Sequence, residues 1–72
     1  MEVKKVLNIL EETFEVEQDS LKLDDKLSDL DFWDSMAKLS LIVMADDEFN
    51  KKLVSADIKK FETIKDIVDY LL

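Results

Sequence analysis

The side chains with the greatest chemical potential lie in mid-chain, where residues 32–36 read FWDSM. A serine hydroxyl such as that of Ser35 becomes a nucleophile only when a neighbouring base activates it. The chain has no histidine and no cysteine, so the Ser-His and Cys-His pairs that usually provide this activation are absent. A zinc site built from the usual nitrogen and sulfur ligands is excluded for the same reason. A small hydrolase centred on Ser35 is therefore a poor hypothesis.

Ser35 has two better interpretations, and both place it at the start of a helix. Serine is a preferred N-cap residue because its oxygen accepts a backbone N–H, and the Asp-Ser-Met sequence alone favours this role. A helix N-terminus also exposes unpaired N–H groups and a partial positive charge, which favour a phosphate group. A phosphate ester on Ser35 would be stabilised there, and a hydroxyl beside a long loop is accessible to a modifying enzyme.

Hydrophobic periodicity predicts the helices that position Ser35. The predicted helices cover four segments: residues 3–14, 35–49 and 56–60, and a last helix that begins at Thr63. Thr63 and Asp66 fit a capping box, and Asn50 suits the left-handed residue that ends a helix. The chain lacks glycine and proline, where average usage predicts about five and about four. Their absence disfavours β-hairpin turns and so favours helices.

Each of the three main helices is predicted to bury an apolar stripe. In the first helix the stripe consists of Val3, Val6, Leu7, Leu10 and Phe14, with Ile9 on its flank. In the second helix it consists of Met36, Leu39, Ile42, Val43 and Phe49, widened by Leu41, Met44 and Ala45. In the last helix it consists of Ile64, Ile67, Val68 and Leu71. Some apolar residues could instead line a slot for an apolar cargo: Val43, Met44, Phe49 and Ile58.

Residues 16–34 form a long polar connection, and SLKLDDKL within it could carry a short helical turn. We expect four residues to anchor it against the helices: Leu21, Leu23, Leu27 and Leu30. A calcium site in its acidic part is a weak alternative, because the spacing is irregular and the turn glycine of an EF-hand is missing. The prediction for residues 1–72 is a single all-α domain. It is a small four-helix bundle of three main helices and one short helix, with a long loop between helices 1 and 2.

The charge of the chain restricts its partners. The formal net charge is −8, and all ten positive charges are lysines. Nucleic acid and anionic membranes would repel such a chain, so neither is expected as a partner. Basic protein surfaces are the natural partners, although negative charge can also serve solubility alone. We find neither a membrane span nor a signal peptide in the sequence and expect a cytoplasmic monomer.

The segment WDSMAKLSLIVMADDEF resembles the attachment-site helix of acyl carrier proteins. Their signature is Asp-Ser-Leu, followed by apolar residues at fixed spacing and a closing Glu-Phe. The residues that match are Asp34, Ser35 and Met36 at the signature, Leu39, Leu41 and Val43 at the apolar positions, and Glu48 and Phe49 at the close. The end of the chain, LVSADIKKFETIKDIVDYLL, is also similar, through Leu53, Phe61, Thr63, Ile64 and Tyr70. The resemblance covers the chain from about Leu27 onward and, more loosely, the first helix and loop.

The resemblance implies a four-helix bundle that carries a cofactor rather than a catalyst. Ser35 would bear a covalent 4′-phosphopantetheine arm, with Asp34 and Met36 beside it. The arm ends in a thiol that holds acyl or aminoacyl cargo as a thioester, which supplies the reactive sulfur that this chain lacks. The implied partners are a phosphopantetheinyl transferase, a loading ligase, and acyl-processing or acyl-transfer enzymes with basic docking surfaces, as in fatty acid biosynthesis. Asp34 has a predicted role as a contact for the transferase.

This chain also departs from the family pattern. Many members have glycine shortly before the Asp-Ser pair, where this chain has Asp31, Phe32 and Trp33. Asn50 and Val54 likewise replace a usual Gly and a common Pro. In the second helix Lys38 lies near the beginning and the acidic residues lie near the end. We therefore expect a docking surface that differs from that of a fatty-acid carrier, and a specialised pathway. The residues predicted to form that surface are Lys38, Leu39, Asp46, Asp47 and Glu48. The alternative function is an unmodified acidic helical module that binds a basic protein surface.

Overall fold

The structure is a computed structural model that describes residues 2–72 and contains four α-helices and a 3₁₀ helix. In chain order they are α1 (Val3–Thr13), the 3₁₀ helix (Leu27–Asp29), α2 (Ser35–Phe49), α3 (Ser55–Lys60) and α4 (Ile64–Leu71). This confirms the predicted all-α bundle with a long loop between its first two helices. The helical turn expected within SLKLDDKL forms at the end of that segment instead, where the 3₁₀ helix begins. Among residues 2–72, no helix is long and apolar enough to cross a bilayer.

The apolar stripes predicted for α1 and α4 form the centre of the core. Val6 and Leu10 of α1 and Ile64 and Ile67 of α4 are all inaccessible to solvent. Val3 is an exception, because it is the first residue of α1 and remains exposed. Both helices carry their apolar residues on one side, so burying that side removes most of their apolar surface from water.

α2 packs on the core with a different face from the one predicted. Its buried residues are Ala37, Leu41, Met44 and Ala45. Within the predicted stripe, Ile42 and Phe49 are only half-buried, and three members are exposed: Met36, Leu39 and Val43. Apolar residues lie on nearly every side of α2, so the periodicity did not favour one face. The prediction of the buried stripe was therefore wrong for this helix. The residues predicted only to widen the stripe, Leu41, Met44 and Ala45, are the ones that lie in the core.

The long loop is held by backbone hydrogen bonds to the start of α4. The N–H groups of the first helical residues have no partner within their own helix. Ile64 and Lys65 donate theirs to the carbonyl oxygens of Asp25 (3.0 Å) and Leu23 (2.9 Å). The four predicted anchors are buried or half-buried, which confirms them: Leu21, Leu27, Leu23 and Leu30. The loop therefore completes the N-terminus of α4 as well as connecting α1 to α2.

A buried carboxylate holds the beginning of the loop against α1. Glu11 is only 2% exposed, and its Oε2 accepts the N–H of Leu21 at 3.0 Å. Its Oε1 has no hydrogen-bond partner among residues 2–72. This role was not predicted, because Glu11 lies next to Glu12 in the sequence and the pair looks like two ordinary solvent-facing acids.

An aromatic cluster holds the end of the loop just before α2. Phe14 stacks on Phe32 with ring centroids 4.9 Å apart, and it contacts Trp33 edge-on at 5.9 Å. Such pairs stabilise packing beyond the area that they bury. The cluster makes Trp33 an anchor of the loop and determines where the chain enters α2.

Candidate functional site

Ser35 is the first residue of α2 and is exposed to solvent. The residue that caps the helix is Asp34, whose Oδ1 accepts the N–H of Ala37 at 2.9 Å. The interpretation of Ser35 as the N-cap was therefore wrong. An N-cap oxygen points back at the helix end, whereas a side chain at the first helical position points outward. Since Asp34 supplies the capping oxygen, the Ser35 hydroxyl is left free for another use.

The backbone around Ser35 favours a phosphate ester. The first N–H groups of a helix have no intrahelical acceptor, and the Asp34 side chain satisfies only that of Ala37. The N–H groups of Ser35 and Met36 lie at the same positive helix end. Lys38 lies one turn further on, with its Nζ 5.7 Å from the centroid of the Trp33 ring. An anionic group attached to Ser35 would therefore meet backbone donors and one nearby ammonium group.

A groove of about 500 Å³ opens beside Ser35, between α2 and α3. Its lining is mostly apolar, with lysines and serines at its margin. The residues that line it are Trp33, Ser35, Lys38, Leu39, Ile42, Ser55, Ile58, Lys59 and Phe61. A flexible group attached to Ser35 can therefore fold back into an apolar space without crossing the core.

The groove differs from the predicted cargo slot. Of the four residues predicted to line a slot, only Ile58 contributes to the groove. Met44 is buried and Val43 is exposed on the outer side of α2. Phe61 lines the groove without having been predicted to do so. Its position in the sequence could have predicted this, because a large aromatic residue directly after a short helix covers the end of the bundle.

The outer face of α2 presents an apolar stripe that begins next to Ser35. Met36 is 71% exposed, Leu39 56% and Val43 53%. A shallow depression beside this stripe is lined by Leu39 and Val43 at one end and by Asp47 and Glu48 at the other. Exposed apolar side chains in a row with a charged margin are typical of a protein-binding surface.

The structure brings some of the predicted docking residues together and separates one of them. Leu39 lies on the outer stripe, and Asp46, Asp47 and Glu48 are exposed at the far end of α2. Lys38 instead lies on the groove side, against Trp33.

Asn50 ends the helix in the left-handed conformation (φ 52°, ψ 35°), as predicted. Among residues 2–72, no group of three or more acidic side chains is arranged to hold a metal ion.

Comparison with known proteins shows which family the chain belongs to. The family model described as "phosphopantetheine attachment site" matches residues 4–71. The chain belongs to this family, that of the acyl carrier proteins. The carrier is 29% identical over 69 residues to an acyl carrier protein of Chlorobium phaeobacteroides, a match that covers 96% of this chain and 88% of the relative. It also resembles the solution structure of a holo acyl carrier protein from Geobacter metallireducens. That match has a TM-score of 0.77 and 24% identity, and it covers 99% of this chain and 83% of the other.

Family membership establishes the general role of the carrier. Its cofactor is covalently attached 4′-phosphopantetheine, and the protein presents a group to enzymes rather than catalysing a reaction itself. Its partners include a phosphopantetheinyl transferase and enzymes that process acyl groups. The exposed hydroxyl at a helix start, the free N–H groups and the adjacent groove all fit such an arm.

Proposed function

We propose that Ser35 is the attachment residue and that the carrier shuttles acyl or aminoacyl thioesters among enzymes. The observation that carries this proposal is the exposed Ser35 hydroxyl at the first position of α2, freed from capping by Asp34. The cofactor would supply the thiol that binds the cargo. The chain itself would fix the position of the phosphodiester through the helix N-terminus and through Lys38.

The outer stripe of α2 is the proposed docking surface. Met36, Leu39 and Val43 would contact an apolar patch on the partner, because burying such side chains provides most of the affinity of a small interface. Asp46 and Asp47 would pair with basic groups at the far end of the helix and orient the partner. Charge complementarity of this kind mainly increases the association rate and the specificity.

The charge along α2 supports a specialised role. Lys38 lies near the attachment residue, whereas the acids are confined to the other end of the helix. A partner that matches this surface needs basic groups opposite the far end of α2, whereas near Ser35 the charges of Lys38 and Asp34 balance each other. We therefore propose that this carrier serves an acyl-modifying pathway other than housekeeping fatty-acid synthesis. That it is a cytoplasmic monomer is a separate proposal, made from the sequence alone.

The attachment proposal is tested by incubating the protein with coenzyme A and a broad-specificity phosphopantetheinyl transferase. We expect the wild-type protein to gain the mass of one arm and the Ser35→Ala variant to gain nothing. Ser55→Ala is the matched control, since Ser55 is also the first residue of a helix and lines the same groove. This control should be modified fully.

The same experiment tests the alternative function. If several transferases leave the wild-type protein unmodified, the attachment proposal fails. The exposed stripe and the acidic end of α2 would then support an unmodified interaction module that binds a basic protein surface. Modification of Ser35→Ala would also contradict the proposal, because the arm would then be attached elsewhere.

A further inference from the structure

The two methionines of α2 differ in their exposure to solvent. The chain contains no cysteine, so the sulfur chemistry of the polypeptide itself belongs to its three methionines. Met36 is 71% exposed, whereas Met44 is 7% exposed and belongs to the core. Oxidation of a thioether requires direct contact with the oxidant, so it is faster where the sulfur is exposed. Met36 is therefore the sulfur of α2 that an oxidant in solution reaches first.

Met36 occupies the part of α2 that an enzyme acting on Ser35 must approach. It directly follows Ser35, and consecutive Cα atoms are about 3.8 Å apart. Both residues are exposed, so an enzyme surface that reaches the Ser35 hydroxyl also covers the Met36 side chain. Met36 also begins the outer stripe that Leu39 and Val43 continue. An oxygen atom added to its sulfur would therefore lie inside the interface with a partner.

A sulfoxide at this position would weaken the interface without disturbing the fold. Oxidation converts a flexible apolar side chain into a polar one that carries an acceptor oxygen. Water hydrates this oxygen in the free carrier, but an apolar patch on a partner offers it no donor. Burying an acceptor without a donor corresponds to a loss of affinity of about tenfold or more. The bundle itself should stay intact, because most of the Met36 side chain is already in water.

We propose that Met36 is a reversible oxidation site that switches off docking of the carrier to its partners, the transferase included. This inference rests on the proposed function, since it requires partners that cover the stripe beside Ser35. The oxidant is a hydroperoxide, of which hydrogen peroxide is the simplest. The sulfur lone pair attacks one peroxide oxygen, the O–O bond breaks, an S–O bond forms and water leaves. A methionine sulfoxide reductase restores the thioether, while two thiols are oxidised to a disulfide and water is released.

The test uses the full chain without its arm, coenzyme A and a phosphopantetheinyl transferase. The protein is treated with hydrogen peroxide until Met36 is oxidised, which peptide mass spectrometry locates as the gain of one oxygen atom. The peroxide is then removed, and kcat/KM for attachment of the arm is measured together with the Tm of the carrier. We expect kcat/KM to fall by about tenfold or more while the Tm stays unchanged. Treatment with the reductases for both sulfoxide epimers should restore the rate.

Met36→Leu and Met44→Leu are the matched pair of variants, because leucine is close to methionine in volume and has no sulfur. For each variant, kcat/KM after peroxide treatment is divided by the value of the same variant before treatment. This ratio should stay near one for Met36→Leu, although its other two methionines remain. It should fall in Met44→Leu as it does in the wild type, since Met36 is still present.

Three results would overturn the proposal: oxidation of Met36 that leaves kcat/KM unchanged, a ratio that falls equally in Met36→Leu, or a fall in rate that is matched by a loss of Tm. The last result would mean that the effect comes from the fold. A failure of the proposed function is distinguishable, because the untreated wild type would then not be modified on Ser35. If the untreated protein is modified there and oxidation has no effect, only the switch is disproved.

Discussion

At the residue scale, the site depends on a division of roles between Asp34 and Ser35. One oxygen at the start of a helix must accept a backbone N–H, and a serine that did so would have its hydroxyl occupied. Because Asp34 accepts the N–H of Ala37, Ser35 can stand at the next position with its hydroxyl exposed. The Asp-Ser order therefore has a physical reason that does not depend on any contact with a partner.

The capping role of Asp34 predicts the effect of replacing it. Asp34→Ala should lower the free energy of unfolding by about 1 kcal/mol, because the Ala37 N–H loses its acceptor. Asp34→Asn should retain most of the stability, since an asparagine oxygen also caps. Urea denaturation measures both effects. Equal stability of Asp34→Ala and the wild type would contradict the capping role.

The same pair of variants separates structure from recognition. If Asp34→Asn is stable but is modified more slowly by the transferase, the charge of Asp34 acts as a contact for that enzyme. If it is modified at the wild-type rate, the residue acts through the helix start alone. Circular dichroism before each assay establishes that the variant is folded.

At the element scale, the apolar residues of α2 explain why the sequence predicted where this helix lies in the chain but not which of its faces is buried. α1 and α4 were oriented correctly because their apolar residues fall on one side, such as Val6 and Leu10. α2 is apolar on nearly every side because it faces both the core and, in the proposed function, its partners. The burial of Glu11 was not predicted, because a carboxylate that is buried by a hydrogen bond to the loop leaves no pattern in the sequence.

The observed orientation of α2 predicts opposite results for two of its leucines. Leu41 is fully buried, so Leu41→Ala should cost about 2–5 kcal/mol of unfolding free energy. Leu39 is more than half exposed, so Leu39→Gln should change stability by less than about 0.5 kcal/mol. The same Leu39→Gln change should weaken binding to acyl-processing partners. A large loss of stability in Leu39→Gln would contradict the orientation described.

The start of α4 predicts a change of stability in acid. The Asp66 carboxylate accepts the N–H groups of Glu62 (2.8 Å) and Thr63 (3.1 Å), and these bonds hold its pKa below the usual 3.8. A lowered pKa in the folded state means that the folded protein binds fewer protons, so the stabilisation is complete above pH 3.8. It is lost as the pH falls through the lowered pKa.

Thermal unfolding from neutral pH down to about pH 3 measures this effect, since an aspartate in an unfolded chain has a pKa of about 3.9. The difference in Tm between wild type and Asp66→Asn should be constant at neutral pH and shrink below pH 3.8. Asp31→Asn, an exposed change of equal charge in the loop, controls for the overall reduction in negative charge. A difference that stays constant into acid would contradict the capping role of Asp66.

At the scale of the whole molecule, the loop links the site to the rest of the fold. Glu11 of α1 holds its beginning, its middle completes the N-terminus of α4, and its end lies at the aromatic cluster before Ser35. Its path could not be predicted from sequence, because each of these contacts joins residues far apart in the chain. The position of Ser35 is thus a property of the complete bundle, and α2 alone would not hold it.

The net charge of −8 acts at the same scale. It raises the rate at which basic partners arrive, and salt screens it over about 10 Å at 0.1 M ionic strength. Binding through the apolar stripe on α2 depends much less on the salt concentration. The two contributions together suit a carrier that must meet several enzymes and leave each of them again.

The central claim is that a single exposed hydroxyl, that of Ser35, bears the arm. The most direct measurement is peptide mass spectrometry of the protein isolated from its native host, with fragmentation that locates each modification. We expect phosphopantetheine, free or loaded with cargo, on the peptide that contains Ser35. An arm on another hydroxyl such as Ser55, or a protein that never carries one, would contradict this claim.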